Sequence, residues 1–120
     1  MSVTAFNMGA GGKLKLTDTY QVNHDQNGQY QTKRNVTLGV TNKAKLLFVV
    51  YTSDSKHPST SLSINCTSGK TIMSTTRLHP KYGNYCAYAF YSDVNAGSTI
   101  NFGTLEASDY SSRFRAYAFN

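Results

Sequence analysis

Three features of this sequence predict an all-β domain. Apolar and polar residues alternate at period two in short runs, as in Lys13-Leu-Lys-Leu16. Clusters of Gly, Asn, Asp, Pro and Ser interrupt these runs roughly every ten to fourteen residues, the spacing of turns between short strands. Charged residues make up only 15% of the chain, against the roughly 25% usual for a soluble domain, and Ser, Thr, Asn and Gly take their place. That composition is poor for helices and good for strands and turns. About eight strands can be counted, which suits an antiparallel β-sandwich of jelly-roll type, with a small β-barrel as the alternative. A chain of 120 residues makes one domain, read here as residues 13–120 behind a Gly-rich N-terminal arm at residues 1–12.

The first strand starts at Lys13, where Leu14 and Leu16 face one way and Lys13 and Lys15 the other. Asn23 to Gly28 forms a turn, because Asn and Gly accept the positive φ that turns require. The chain returns through Val36, Leu38 and Val40. The run Leu46–Tyr51 follows as the most apolar stretch, with Leu46, Phe48 and Val50 on one face and Leu47, Val49 and Tyr51 on the other. A strand apolar on both faces is covered on both. In a two-layer domain the core takes one face, so Leu47, Val49 and Tyr51 are assigned to a contact with another subunit.

Ser55–Ser61 reads as a loop before the strand Leu62–Cys66, and Thr67–Lys70 as a turn before Thr71–Leu78. His79–Asn84 reads as another turn. A strand over Tyr85–Val94, the turn Asn95–Gly97, a strand over Ser98–Leu105, a loop over Glu106–Ser112 and a last strand from Arg113 complete the chain.

The tetrapeptide Ala-Tyr-Ala-Phe occurs twice, at residues 87–90 and 116–119. The residues around the two copies do not align, so they are two strands and not a duplication. In the first copy the aromatic row, continued by Cys86, is expected in the core. In the second, Phe114, Ala116 and Ala118 are expected in the core, leaving Arg113, Arg115, Tyr117 and Phe119 on an outer row that meets a partner.

The net charge of +6 favours anionic partners, although no run of basic residues exceeds the two of Lys33-Arg34. Cys66 and Cys86 are the only cysteines. The first residues lack the charged and apolar regions of a signal peptide, so synthesis in a reducing cytoplasm and two free, buried thiols are expected. The sequons at Asn35 and Asn65 are then chance matches. No segment approaches the length of an apolar membrane span.

Catalysis needs a nucleophile, a base and an orienting group that converge. The six acidic residues and three histidines lie mostly in or beside turns, and no hydrolase, metalloprotease or nucleotide-binding motif is present. The cysteines lack metal-ligand spacing. No enzymatic activity, cofactor or metal is expected. Lys13/Lys15, Lys43/Lys45 and Arg113/Arg115 each put two cations on one strand face, and with nearby tyrosines this keeps a single-stranded nucleic-acid binder as one alternative. Tyrosine also suits sugar and protein surfaces, being a rigid apolar plate with a polar rim. His57, in the Ser55–Ser61 loop, and His79, Lys81, Tyr82, Asn84 and Tyr85, in the next, are the candidate glycan- or partner-recognition residues. A stand-alone carbohydrate-binding, lectin-like module is the other alternative.

With its small charge content, Gly-rich start, Ser/Thr/Asn/Gly/Tyr bias and final strand Arg113–Asn120, the chain resembles the small structural and accessory proteins of tailed bacteriophages and prophages. These include tail, fibre and head-decoration components. The resemblance covers the whole chain in style and rests on no motif. It implies a virion protein that forms homo-oligomers, commonly trimers, and contacts other virion proteins or a host-surface polysaccharide.

Overall fold

A computed structural model describes residues 5–8, 12–25, 30–53, 62–75, 79–81, 84–108 and 111–120, with side chains at 13–23, 35–52, 62–75, 86–103 and 112–120. The described chain is all β, in ten strands: β1 (Ala5–Met8), β2 (Gly12–Asp25), β3 (Tyr30–Val40), β4 (Ala44–Ser53), β5 (Ser63–Cys66), β6 (Lys70–Ser74), β7 (His79–Lys81), β8 (Asn84–Val94), β9 (Ser98–Ser108) and β10 (Ser111–Phe119). They form two antiparallel sheets. The larger has the order β1-β2-β10-β4-β8-β6, with β7 added on β8, and the smaller the order β3-β9-β5. The chain crosses between the sheets at β2–β3, β3–β4, β4–β5, β5–β6, β8–β9 and β9–β10, which wraps it in the manner of a jelly roll.

The two strands beyond the expected eight are short additions. Ala5–Met8, inside the stretch read as an arm, pairs with Gly12–Lys15 as β1. His79–Lys81, read as a turn, pairs with Asn84–Cys86 as β7, and Pro80 is tolerated because β7 is an edge strand. The stretch read as the loop Glu106–Ser112 is largely strand, since β9 runs to Ser108 and β10 starts at Ser111.

The core lies between the small sheet and one face of the large one. β3, β5 and β9 contribute Val36, Leu38, Val40, Ile64, Ile100 and Phe102. β4, β8 and β10 contribute Leu47, Val49, Tyr51, Ala87, Ala89, Tyr91, Phe114, Ala116 and Ala118, all in one buried cluster. Phe114 bridges the layers, with its ring centroid 4.9 Å from Phe102 and 5.1 Å from Tyr51. The alanines explain the fit. Val49 of β4 has Ala89 on one side and Ala116 on the other, so small residues flank the large ones and leave room for Ile100 and Phe102 opposite. The Tyr91 hydroxyl donates to the Ile64 carbonyl at 3.1 Å, a buried hydrogen bond from one sheet to the other.

Two assignments from the sequence change here. Leu47, Val49 and Tyr51 are 0–1% exposed in the inter-sheet core and do not form an outer contact face. In the first Ala-Tyr-Ala-Phe copy the alanines are the core row, while Cys86, Tyr88 and Phe90 are half-buried on the outer side. In both cases the small sheet settles the face: it covers only the side that carries the alanine rows.

Irregular backbone sets the edges of this arrangement. Asp18 pairs with Ala118 and Leu16 with Phe119, so Thr17 is an extra residue that turns Leu14 and Leu16 to the outer face, while Tyr20 and Val22 pack on the core. Asn120 closes this corner. Its main chain pairs both ways with Lys15, and its side chain accepts from the Lys45 amide and donates to the Lys43 carbonyl, each at 3.0 Å. Asp18 accepts from the Asn42 side chain and the Tyr20 hydroxyl from the Asn42 amide, which fixes the turn between β3 and β4.

Candidate functional site

The larger sheet has a second apolar surface on the side away from the core. Because strands alternate faces, the residues left outward by β8, β4, β10 and β2 fall into four rows. These read Cys86-Thr52-Arg113-Asn23, Tyr88-Val50-Arg115-Gln21, Phe90-Phe48-Tyr117-Thr19 and Ser92-Leu46-Phe119-Leu16. Met73 of β6 extends the third row beyond Phe90. Leu14, Leu46 and Phe119 are buried in a cluster of their own on this face, against which Phe48, Phe90 and Tyr117 pack.

The aromatic row has a defined ring geometry. Phe48 stacks on Phe90 at 4.7 Å with 23° between the planes, and on Tyr117 at 6.0 Å with 21°. Rings lying flat side by side on a sheet clash at the shorter of these distances, so the stacked rings stand upright and turn their edges outward. Phe48 therefore has a ring against each of its faces. Tyr88 completes the cluster at 6.4 Å from Phe48 and 6.3 Å from Phe90, tilted against both. Such contacts add roughly 0.5–1.5 kcal/mol per pair beyond area burial, so the row is a stiff apolar ridge.

Polar groups border the ridge on one side. The Arg115 Nε donates to Gln21 at 3.2 Å, and the Gln21 amide nitrogen donates to the Asn23 side-chain oxygen at 2.8 Å. Arg113 sits one row further, half-buried like Arg115. Ile72 and Met73, 56% and 51% exposed, continue the apolar character to the β6 edge.

The expected partner row of the last strand is thus placed on this face: Arg113, Arg115 and Tyr117 are half-buried there, and Phe119 is fully buried in the outer cluster. Phe48, Val50, Tyr88 and Phe90 join them, and the sequence reading had not assigned these four to a partner surface. A signal for them was present. Both copies of the tetrapeptide put alanine in register with Val49, Ala89 on one side and Ala116 on the other, so both turn their Tyr and Phe to the outer face.

Of the expected recognition residues, His57 and Tyr82 lie outside the described residues. His79, Lys81, Asn84 and Tyr85 lie on the β7–β8 ladder, His79 opposite Cys86, Pro80 opposite Tyr85 and Lys81 opposite Asn84, with side chains outside the described set. Cys66 on β5 and Cys86 on β8 are free, and both are half-buried where full burial was expected. Lys13/Lys15 and Lys43/Lys45 are exposed near one end of the sandwich. There an open recess of about 250 Å³ is lined by Lys43, Lys45, Asp93, Asn95 and Asn120, among others. Among the described residues no three of His, Cys, Asp and Glu gather as a metal site would require, and no helix is long and apolar enough to cross a membrane.

Searches of protein families, of curated proteins and of solved structures each return no match to this chain.

Proposed function

We propose that this chain is a non-enzymatic building block that assembles through the outer face of its large sheet, as a structural or accessory protein of a tailed-phage or prophage virion. One observation carries the assembly reading: on the side of the large sheet that faces away from the core, Phe48, Val50, Tyr88, Phe90 and Tyr117 are only half-buried, and Ile72 and Met73 beside them are exposed. A sandwich needs one buried face per sheet for stability, and large apolar patches outside the core mark interaction surfaces. The compositional resemblance to tail, fibre and decoration proteins supports the virion context.

Along the Phe90-Phe48-Tyr117 row, ring geometry favours a protein partner over a sugar or a base. Sugars and bases stack on open ring faces. Phe48 has its faces against Phe90 and Tyr117 and offers an edge, which suits packing against apolar side chains. A host-surface polysaccharide is then a ligand for the regions around His57 and His79–Tyr85.

Light scattering at micromolar concentration tests the reading. A multimer that Phe48→Glu dissociates without loss of the β-sheet circular dichroism is expected. A clean 13.2 kDa monomer overturns it. If the monomer binds a glycan array, the lectin-like alternative replaces it. A mobility shift with single-stranded DNA that persists at moderate salt points instead to a nucleic-acid binder.

A further inference from the structure

We propose that the partner on the outer face is a second copy of this chain, packed face to face about a two-fold axis that runs along β4. The proposal rests on the outer face being a docking surface and adds the occupant and its orientation. Its first support is size. Four strands of about nine paired residues, flanked by the four-residue β1 and the five-residue β6 and spaced about 4.8 Å apart, present a face on the order of 700 Å², close to the ~800 Å² per partner of a standard interface.

The second support is self-complementarity. An isologous contact must match a surface with itself. β4 has β10 on one side and β8 on the other, and at the height of Val50 these strands carry Arg115 and Tyr88. A two-fold axis along β4 exchanges β8 with β10, so Arg115 of each copy meets Tyr88 of the other. That places a cation on an aromatic ring, an attraction that grows when the pair is desolvated. It also keeps Arg115 away from Arg115. In the row below, Phe90 meets Tyr117, and Phe48 meets its own copy on the axis. An axis across the strands sets Arg115 against Phe119, a ring already 1% exposed in its own cluster, when it passes at the height of Phe48, and against the other Arg115 when it passes at the height of Val50. Aligned packing of two twisted sheets, about 30° apart in direction and ~10 Å in separation, accommodates the first arrangement. An isologous face closes at two copies, so the unit formed is a dimer, in place of the trimer that the resemblance implies.

Chemical cross-linking tests the axis. In a chain carrying Cys66→Ser and Cys86→Ser, single cysteines are placed on the outer face and treated with a bismaleimide of about 10 Å reach, matched to the sheet separation. Val50→Cys, on the axis, is expected to give covalent dimers, and Thr52→Cys, also on β4, serves if that variant folds poorly. Thr19→Cys alone is expected to give none, because its two copies lie roughly 20 Å apart or more at ~4.8 Å per strand. A mixture of Thr19→Cys and Met73→Cys chains is expected to cross-link, since the axis brings β2 over β6. Arg115→Ala is expected to weaken the dimer about 5- to 30-fold.

Covalent dimers from Thr19→Cys but not from Val50→Cys overturn the proposal in favour of an axis across the strands. A multimer by light scattering with no cross-link at either position overturns it while leaving the assembly reading intact. A monomer defeats both.

Discussion

Tyr91 of β8 donates its hydroxyl to the main-chain carbonyl of Ile64 of β5, and this 3.1 Å bond ties the two sheets together inside the core. Burial, reinforced by Cys66, pushes the Tyr91 phenol up to about 12 from its ordinary 10.0. Above pH 10 the unfolded chain loses this proton while the folded one keeps it, so stability declines as the pH rises from 10 towards 12. Ultraviolet titration of tyrosinate should show Tyr91 ionising about two units late, and Tyr91→Phe should remove one tyrosine's absorbance change from that late step. The same variant leaves the Ile64 carbonyl short of a partner and should cost roughly 1–3 kcal/mol in urea unfolding at neutral pH.

The alanine rows give a contrast between the two faces of one strand. Ala89 is fully buried beside Val49, whereas Phe90, its neighbour in sequence, is half-buried on the outer face. Ala89→Leu adds volume where the facing sheet leaves none, at a cost of about 1–3 kcal/mol or more. Phe90→Leu should cost less in the unfolding of the monomer and, in the proposed assembly, should act mainly on the oligomer. Urea unfolding of both variants, followed at a concentration below that of assembly, separates the two effects.

Two glycines in turns should respond differently to the same change. Gly69 and Gly97 both have φ near +80°, where an L residue is strained by roughly 1–2 kcal/mol. At Gly97 an added Cβ meets nothing within 4 Å, so Gly97→Ala should cost only that strain. At Gly69 the Cβ would lie 2.6 Å from the Ser92 carbonyl oxygen, and main chain must move. Gly69→Ala should therefore be clearly the more destabilising in thermal unfolding.

Asn120 joins β2 to β4 through one residue. Asn120→Ala keeps the main-chain pair with Lys15 and removes the side-chain bonds to the Lys45 amide, the Lys43 carbonyl and the Thr17 hydroxyl. These bonds are solvent-accessible, so a loss of about 1–2 kcal/mol is expected. Hydrogen exchange at the Lys45 amide should quicken more than exchange at the Val49 amide in mid-strand.

Much of the architecture was legible in the residue pattern. Period-two alternation marked β2, β3 and β10, because a half-covered strand needs apolar residues only at every second position, and continuous apolar runs bounded by turn residues marked β4 and β8. The jelly-roll type followed from the number and spacing of strands. The pairs were not legible: consecutive strands such as β2 and β3 lie in different sheets, and no local signal distinguishes a crossing from a hairpin. β1 and β7 were missed for a related reason. Each is only three or four residues long and holds its strand shape by pairing with a neighbour, despite Gly-rich or Pro-containing surroundings.

The alternation by itself determined which residues share a face: Leu47 with Val49 and Tyr51, Tyr88 with Phe90, Arg113 with Arg115 and Tyr117. It did not determine which of the two faces is inside. That was decided by the three-stranded sheet, which covers only one side of the larger one, and by volume, since Ile100, Phe102 and Phe114 fill the space that Ala87, Ala89, Ala116 and Ala118 leave. Leu46, Phe48, Phe90 and Tyr117 are as apolar as a core row, and they lie outside because two layers of sheet can enclose only one layer of side chains.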